Sequence, residues 1–424
     1  SRHSPPAMSR DTTQVLMAEV GTEAVPVAYH EDSFTNKRKQ KLFTALYQPA
    51  SPGNGLGLVS FHHGIDEHVS RAGYKELFAT MAGVGLTVSA FDAYGHGQSE
   101  PSEAKERSFV ASFDYLVDDY IAVTEFAYEQ YKLANPDQAK PPVFAVGHSL
   151  GGLVVATAVL RKPELFSGLA LQSASVDVEW RLTLRVQASI GGLLSTVVPR
   201  WRIVPAVLPG DLSQDAEVVT TYLEDPLCNH GGKVRARTAN EIRKAFQKVQ
   251  VSGKRLTLPI YAAHGTEDKV TSLPAIKRLL AASPSTDKTI NEVAGGYHEI
   301  LFGPEKAATR SALVAWLLLH ATAIKDGTPI TTANATTPEA PVAVAPPTAS
   351  TLTPEAVREA APEASTGTTS GAPEAAPEAP AVVAPPSAST GGATDAETTA
   401  TREATATYAK VVADAAGPAV TPKE

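Results

Sequence analysis

The sequence predicts an α/β fold, a mostly parallel sheet with helices on both faces, and two observations predict it. Short apolar runs, each ending in a Gly- or Asp-containing loop, alternate with amphipathic helical patterns, as expected of strands buried on both faces of a parallel sheet. One strand-to-helix junction carries Gly147-His148-Ser149-Leu150-Gly151-Gly152. A Gly-x-Ser-x-Gly in that position is a nucleophile elbow, in which a strained turn exposes the serine and side chains at 147 and 151 would clash.

Taken in order, residues 25–29 and 42–47 read as an antiparallel lead-in. Residues 57–61, 86–91, 143–146, 168–171, 258–262 and 289–293 read as strands of the parallel sheet. Helical patterns cover 74–82, 116–131, 150–160 and 306–324. The last contains Ala312 to Leu319, an apolar run broken by His320 and too short to span a membrane, so it reads as a buried terminal helix. From about 175 to 254 the strand signal stops. Leu182, Val186, Ile190, Leu193 and Val197 fall on one helical face, which Leu184, Leu194, Val198, Trp201, Ile203, Val207 and Leu208 widen. A structureless loop of that length is implausible, so the stretch is read as a helical cap over the sheet edge. Its apolar face either packs on the domain below or is partly exposed to meet lipid.

The expected organisation is a flexible stretch over 1–14, one large domain over 15–324 with the cap inserted at about 175–254, and a disordered tail over 325–424. The tail is Ala, Pro, Thr, Glu and Ser with Tyr408 as its one aromatic, and Pro338 to Pro347 returns imperfectly as Pro377 to Pro386. Such a composition buries too little apolar surface to offset chain entropy and reads as a solvated spacer. It holds 12 acidic and 5 basic side chains, a net of −7 out of −8 overall. The folded part is therefore near neutral, with no basic stripe for nucleic acid. Cys228, the single cysteine, excludes an internal disulfide and fits a reducing compartment. The N-terminus shows no signal-peptide core and no initiator Met, and reads as a fragment or processed chain with Met8 as an alternative start.

A serine hydroxyl attacks only when a base takes its proton and a third group orients that base. In this layout acid and histidine follow the serine on later strand-end loops. Asp268, in Gly265-Thr266-Glu267-Asp268, and His298, in Gly295-Gly296-Tyr297-His298, occupy those places. Ser149 is read as nucleophile, His298 as proton relay and Asp268 as the acid that fixes the tautomer, in preference to the adjacent Glu267. His96, His148 and His264 are read as structural. A metal reading of His62, His63, Asp66 and His68 is disfavoured because the spacing matches no standard ligand set. The backbone amides of Leu150 and Ile65 are the expected oxyanion donors.

With those residues named, a resemblance is specific. His63-Gly64-x-x-Glu67-His68, Asp92-x-x-Gly95-His96-Gly97-x-Ser99, the Ser149 elbow and Asp225-Pro226-Leu227-Cys228 resemble the monoglyceride lipase and lysophospholipase branch of the α/β-hydrolase family, from about Phe43 to Leu319. The resemblance implies an eight-stranded sheet, a Ser149–Asp268–His298 triad, no metal or organic cofactor, and a mobile cap that docks at membranes or lipid droplets. It implies hydrolysis of monoacylglycerol to fatty acid and glycerol. Glu67, Arg71 and Tyr222 would then line the polar end of the pocket. Leu301 stands where animal members carry a second histidine, and the 69–74 loop is longer than theirs, which leaves lysophospholipids and other small esters open. Two other readings are an acyltransferase using the same triad and a non-catalytic receptor or scaffold. The expected setting is cytoplasmic and peripheral at membranes.

Overall fold

A computed structural model describes residues 14–20, 23–50, 55–103, 106–138, 140–178, 191–205, 207–230 and 232–328. The expectations for residues 1–13, for Leu182, Leu184, Val186 and Ile190 of the cap, and for the tail beyond 328 lie outside the described residues.

Nine strands form one sheet among the described residues: β1 Gln14–Val20, β2 Glu23–Thr35, β3 Lys41–Pro49, β4 Gly57–His62, β5 Leu86–Phe91, β6 Val143–His148, β7 Gly168–Gln172, β10 Ile260–Gly265 and β11 Lys288–Val293, in the order β1-β2-β3-β5-β4-β6-β7-β10-β11. From β5 across to β11 every pairing is parallel. β1, β2 and β3 join by antiparallel pairings, and β3 is antiparallel to β5. The eight expected strands are present, and β1 adds a ninth at the edge by folding back on β2.

The parallel strands are apolar throughout because both faces are covered. Every residue of β4, β5, β6, β7 and β10 is buried. Alternation survives as a choice of face. Val143, Ala145, Leu169, Leu171, Ile260 and Ala262 pack into one core. Phe144, Val146, Ala170, Tyr261 and Ala263 pack into the other. Helices α2 Phe113–Ala134 and α3 Leu150–Arg161 cover the first face. Helix α1 Ala72–Gly83 and the C-terminal helix Lys306–Asp326 cover the second. The C-terminal helix is long and apolar enough by composition to cross a membrane. Leu313, Val314 and Leu317 on it are fully buried against the sheet, and each such side chain contributes on the order of 2 kcal/mol of burial.

The cap departs from the wholly helical expectation. It contains helical residues 191–197, α4 Ala216–Glu224 and α5 Ala236–Ser252. It also contains an antiparallel ribbon of β8 Arg202–Pro205 and β9 Lys233–Arg235. Strands of four and three residues are too short to leave a period-two signal. Helix α6 Leu273–Ala282 follows β10 and starts at Ser272, whose hydroxyl accepts from the Ala275 amide. The final helix is α7.

The described residues of the cap's apolar face divide between half-buried and exposed positions. Leu194 and Val198 are half-buried, while Leu193, Val197, Trp201 and Leu208 stand 64%, 66%, 64% and 60% exposed.

Candidate active site

The site is built on the junction of β6 and α3. Ser149 sits at φ 51° and ψ −120°, a left-handed conformation that costs a non-glycine residue about 1–3 kcal/mol and persists only when its surroundings over-determine it. Here they do. The Ser149 amide donates to the Gln172 carbonyl at 3.0 Å, and its own carbonyl accepts from Ser175 at 2.9 Å and Gly152 at 3.0 Å. The flanking glycines are required by contact. A Cβ on Gly147 would lie 2.5 Å from the Gly151 carbonyl carbon, and one on Gly151 would lie 2.1 Å from the His62 carbonyl oxygen at the end of β4.

That last contact brings the loop after β4 against the elbow. A Cβ on Gly64 would meet the Ser149 Cβ at 3.0 Å, so Gly64 and Ile65 lie beside the serine. Leu150 is the first residue of α3, and an amide in that position has no acceptor within the helix. Ser149, Ile65 and His298 line one cleft.

His298, on the loop after β11, is held from behind. Its Nδ1 lies 2.9 Å from Asp268 Oδ2, while Oδ1 of Asp268 accepts from the amides of Val270 at 2.8 Å and Thr271 at 2.9 Å. The Thr271 hydroxyl donates to Oδ2 at 2.6 Å. Burial would raise the Asp268 carboxyl, but His298, His264 and Thr271 outweigh it and hold the group well below the usual carboxylate range. Glu267, the alternative acid, is exposed. His264, read as structural, stands beside the acid, with Nε2 3.3 Å from Asp268 Oδ2.

Of the three residues expected at the polar end, Glu67 and Tyr222 line the cleft. Arg71 does not. It lies behind Glu67, buried between two carboxylates, with Nη1 2.5 Å from Glu67 and 3.0 Å from Glu299 and its guanidinium 3.9 Å from the Phe302 ring centre. Glu67 Oε1 also receives the Tyr74 hydroxyl at 2.7 Å and faces His148 Nδ1 at 2.9 Å. Burial opposes ionisation of Glu67, yet His148 and Arg71 keep its carboxyl far below its usual range. Burial likewise works against charge on His148, and Glu67 with Glu299 shifts that ring above its ordinary value.

His148, Tyr74 and Glu299 were therefore missed as members of the site. Arg71 and Glu299 are 228 positions apart in the chain, and no spacing rule joins them. The available signal was adjacency, of Glu299 to His298 and of His148 to Ser149.

The four residues of the metal reading do not converge. His62 Nδ1 donates to the His63 carbonyl at 2.7 Å and His63 Nδ1 to the Gly64 carbonyl at 2.6 Å. His68 pairs with Asp225 of the cap at 2.9 Å, and Asp66 turns toward Asn229. Cys228 is buried, and desolvation pushes its thiol up, away from the reactive thiolate.

Comparison with known proteins identifies the family. The family model described as serine aminopeptidase, S33 matches residues 54–305, more than half of the chain. The monoglyceride lipase of Rattus norvegicus is 33% identical over 268 residues, covering 62% of this chain and 81% of the relative. The monoacylglycerol lipase of Mycolicibacterium smegmatis is 27% identical over 266 residues, covering 62% and 89%. The crystal structure of Paleococcus ferrophilus monoacylglycerol lipase superposes with a TM-score of 0.56 at 26% identity, covering 66% of this chain and 99% of that one. The chain thus belongs to the serine aminopeptidase S33 family, in the monoglyceride lipase branch of the α/β-hydrolases, and is a serine ester hydrolase.

Proposed function

We propose that the protein cleaves monoacylglycerol to fatty acid and glycerol through an acyl-enzyme on Ser149. The observation that carries the reading is the placement of Ser149 and His298 on one cleft with Asp268 2.9 Å behind His298. Ser149 Oγ attacks the ester carbon as His298 Nε2 takes its proton. Asp268 accepts from Nδ1–H, fixes that tautomer and stabilises the imidazolium. The Leu150 and Ile65 amides receive the oxyanion, each donor being worth on the order of 3 kcal/mol. His298 then returns the proton to the leaving alcohol, and water repeats the sequence on the acyl-enzyme. Glu67 and Tyr222 face the alcohol part, with Arg71 holding Glu67 in place.

The test is a panel of monoacylglycerol, lysophospholipid and short-chain ester with purified protein, reading fatty acid release with and without added glycerol as acceptor. Monoacylglycerol turned over with the highest kcat/KM, and free fatty acid as the main product, is the expected result. Acyl transfer to glycerol outpacing hydrolysis would replace the reading with the acyltransferase one.

The cap supplies the membrane contact in this reading. Trp201 stands exposed between Arg200 and Arg202, beside exposed Leu193 and Val197, the mixture of aromatic, aliphatic and basic groups that settles at a lipid interface. Replacing Leu193, Val197 and Trp201 together by Ser is expected to weaken binding to anionic vesicles about tenfold or more, with hydrolysis of a soluble ester changed less than twofold. Equal losses in both would mean that these residues pack inward.

A further inference from the structure

A second, small cleft adjoins the first and shares Val207 and Tyr222 as a dividing wall. At one side stands Asp66, the residue after Ile65, with Asn229 and the exposed His230 of the cap opposite. Asp66 is built into place. It holds φ 62°, a left-handed conformation that aspartate tolerates better than most residues. Its carbonyl accepts from the Asn229 amide at 2.9 Å, and its Oδ1 accepts from Asn229 Nδ2, also at 2.9 Å. The same Asn229 nitrogen donates to Ser108 Oγ at 3.0 Å.

Among the buried acids around the site, Asp66 combines the lack of an ion pair with a place on the wall of a cleft. Glu67 and Glu299 are ion-paired to Arg71, Asp225 and Asp268 accept from the rings of His68 and His298, and Asp92 accepts from the amides of Val69 and Gln98. Asp66, 8% exposed, makes no ion pair among the described residues. Its hydrogen-bond donors, Asn229 and Ser108, carry no charge, and Arg202 and His96 act on it without forming an ion pair. Burial pushes its carboxyl up, with Ser108, His96, Arg202 and Asn229 opposing. A buried carboxylate without a cation is costly, and a cation entering the cleft recovers that cost as binding.

We infer that the Asp66 cleft is a subsite for an ammonium group carried on the alcohol part of an ester substrate, so that the enzyme accepts amino-alcohol esters beside neutral glycerol esters. The inference rests on the ester-hydrolase reading, since the alcohol must leave from Ser149 for the adjoining cleft to hold its far end. An ammonium with hydrogen-bond donors meets Asp66 directly, and a quaternary one meets the carboxylate by charge and the Tyr222 wall by its methyl groups.

The experiment compares a long-chain acylcholine with the 3,3-dimethylbutyl ester of the same acid, which has the same shape and no charge. Lysophosphatidylcholine and monoacylglycerol are run in parallel. The kcat/KM ratio of charged to neutral ester is expected to be about tenfold or more in the native enzyme. It should fall to within about twofold of unity in Asp66→Asn, which keeps the shape and the left-handed backbone, and recover in part in Asp66→Glu. Tetramethylammonium should inhibit the native enzyme competitively and Asp66→Asn about tenfold more weakly, a measurement that needs only the native protein should the variant fold poorly. An Asp66-dependent rate with lysophosphatidylcholine identifies a zwitterionic lysolipid as the source of the ammonium, and dependence confined to acylcholine identifies a simple amino-alcohol ester. A ratio near unity in the native enzyme, or one unchanged in Asp66→Asn, overturns the subsite while leaving ester hydrolysis standing. Failure on every ester overturns the hydrolase reading, and this one with it.

Discussion

Ser149→Ala is expected to lower kcat on a soluble ester by about 10⁶-fold, with the fold retained. The size follows from the site's division of labour. Without Oγ there is no acyl-enzyme, and His298 has no hydroxyl to activate. The remaining oxyanion donors can assist only attack by water. The fold survives because alanine carries the same Cβ as serine through the left-handed turn at φ 51°, and the hydrogen bonds that hold the turn come from the Ser149 backbone. Burst kinetics and thermal melting check the two halves. A melting temperature within a few degrees of native, with no burst and no turnover, is the expected pair of results. Turnover within tenfold of native would overturn the assignment of the nucleophile.

Asp268→Asn is expected to cost about 10⁴-fold in kcat with a smaller change in KM. Two donors, the Val270 and Thr271 amides, point at Oδ1. They compel the asparagine to place its oxygen there and its NH₂ where Oδ2 was, facing His298 Nδ1. The ring must then accept at Nδ1 and carry its proton on Nε2, the tautomer that cannot take a proton from Ser149. The same substitution alters the response to acid. The Asp268 carboxyl is lower in the folded chain than the unfolded value of about 3.9. It therefore contributes stability that is present above about pH 4 and lost as the pH falls through the folded value. Unfolding free energy against pH should drop less steeply below pH 4 in Asp268→Asn than in the native chain. An unchanged acid limb would mean that Asp268 is not held ionised by its surroundings.

The parts of the molecule legible in the sequence are those set by local rules. β4, β6 and β10 announce themselves because strands covered on both faces are apolar at every position, and the strand–serine–helix order marks Ser149. Asp268 and His298 follow from chain order on strand-end loops. β1 escaped because it forms an edge strand paired to β2 alone, and its run Val15-Leu16-Met17-Ala18 shows no alternation although Met17 stands 61% exposed. The ribbon of β8 and β9 was too short to show a period. The polar end was hidden for another reason. Glu67, Arg71, Tyr74, His148 and Glu299 meet only once α1, the elbow and the loop after β11 are packed together. Asp66 acquires its setting only when Asn229, 163 positions later, returns from the cap. Pairings of that range are decided by tertiary packing.

The contact of Gly151 with the His62 carbonyl has a kinetic consequence. It joins the two loops bearing the oxyanion donors through main-chain atoms of the sheet, with no flexible side chain between them. The width of the gap between the Ile65 and Leu150 amides is then set by the sheet and not by the cap. On the proposed reading the cap governs how a lipid is admitted and how its alcohol departs, and the sheet governs the bond-breaking step once the ester is seated. Changes in membrane composition should accordingly move the apparent affinity for lipid and leave the rate of acyl transfer to Ser149 in single turnovers where it was.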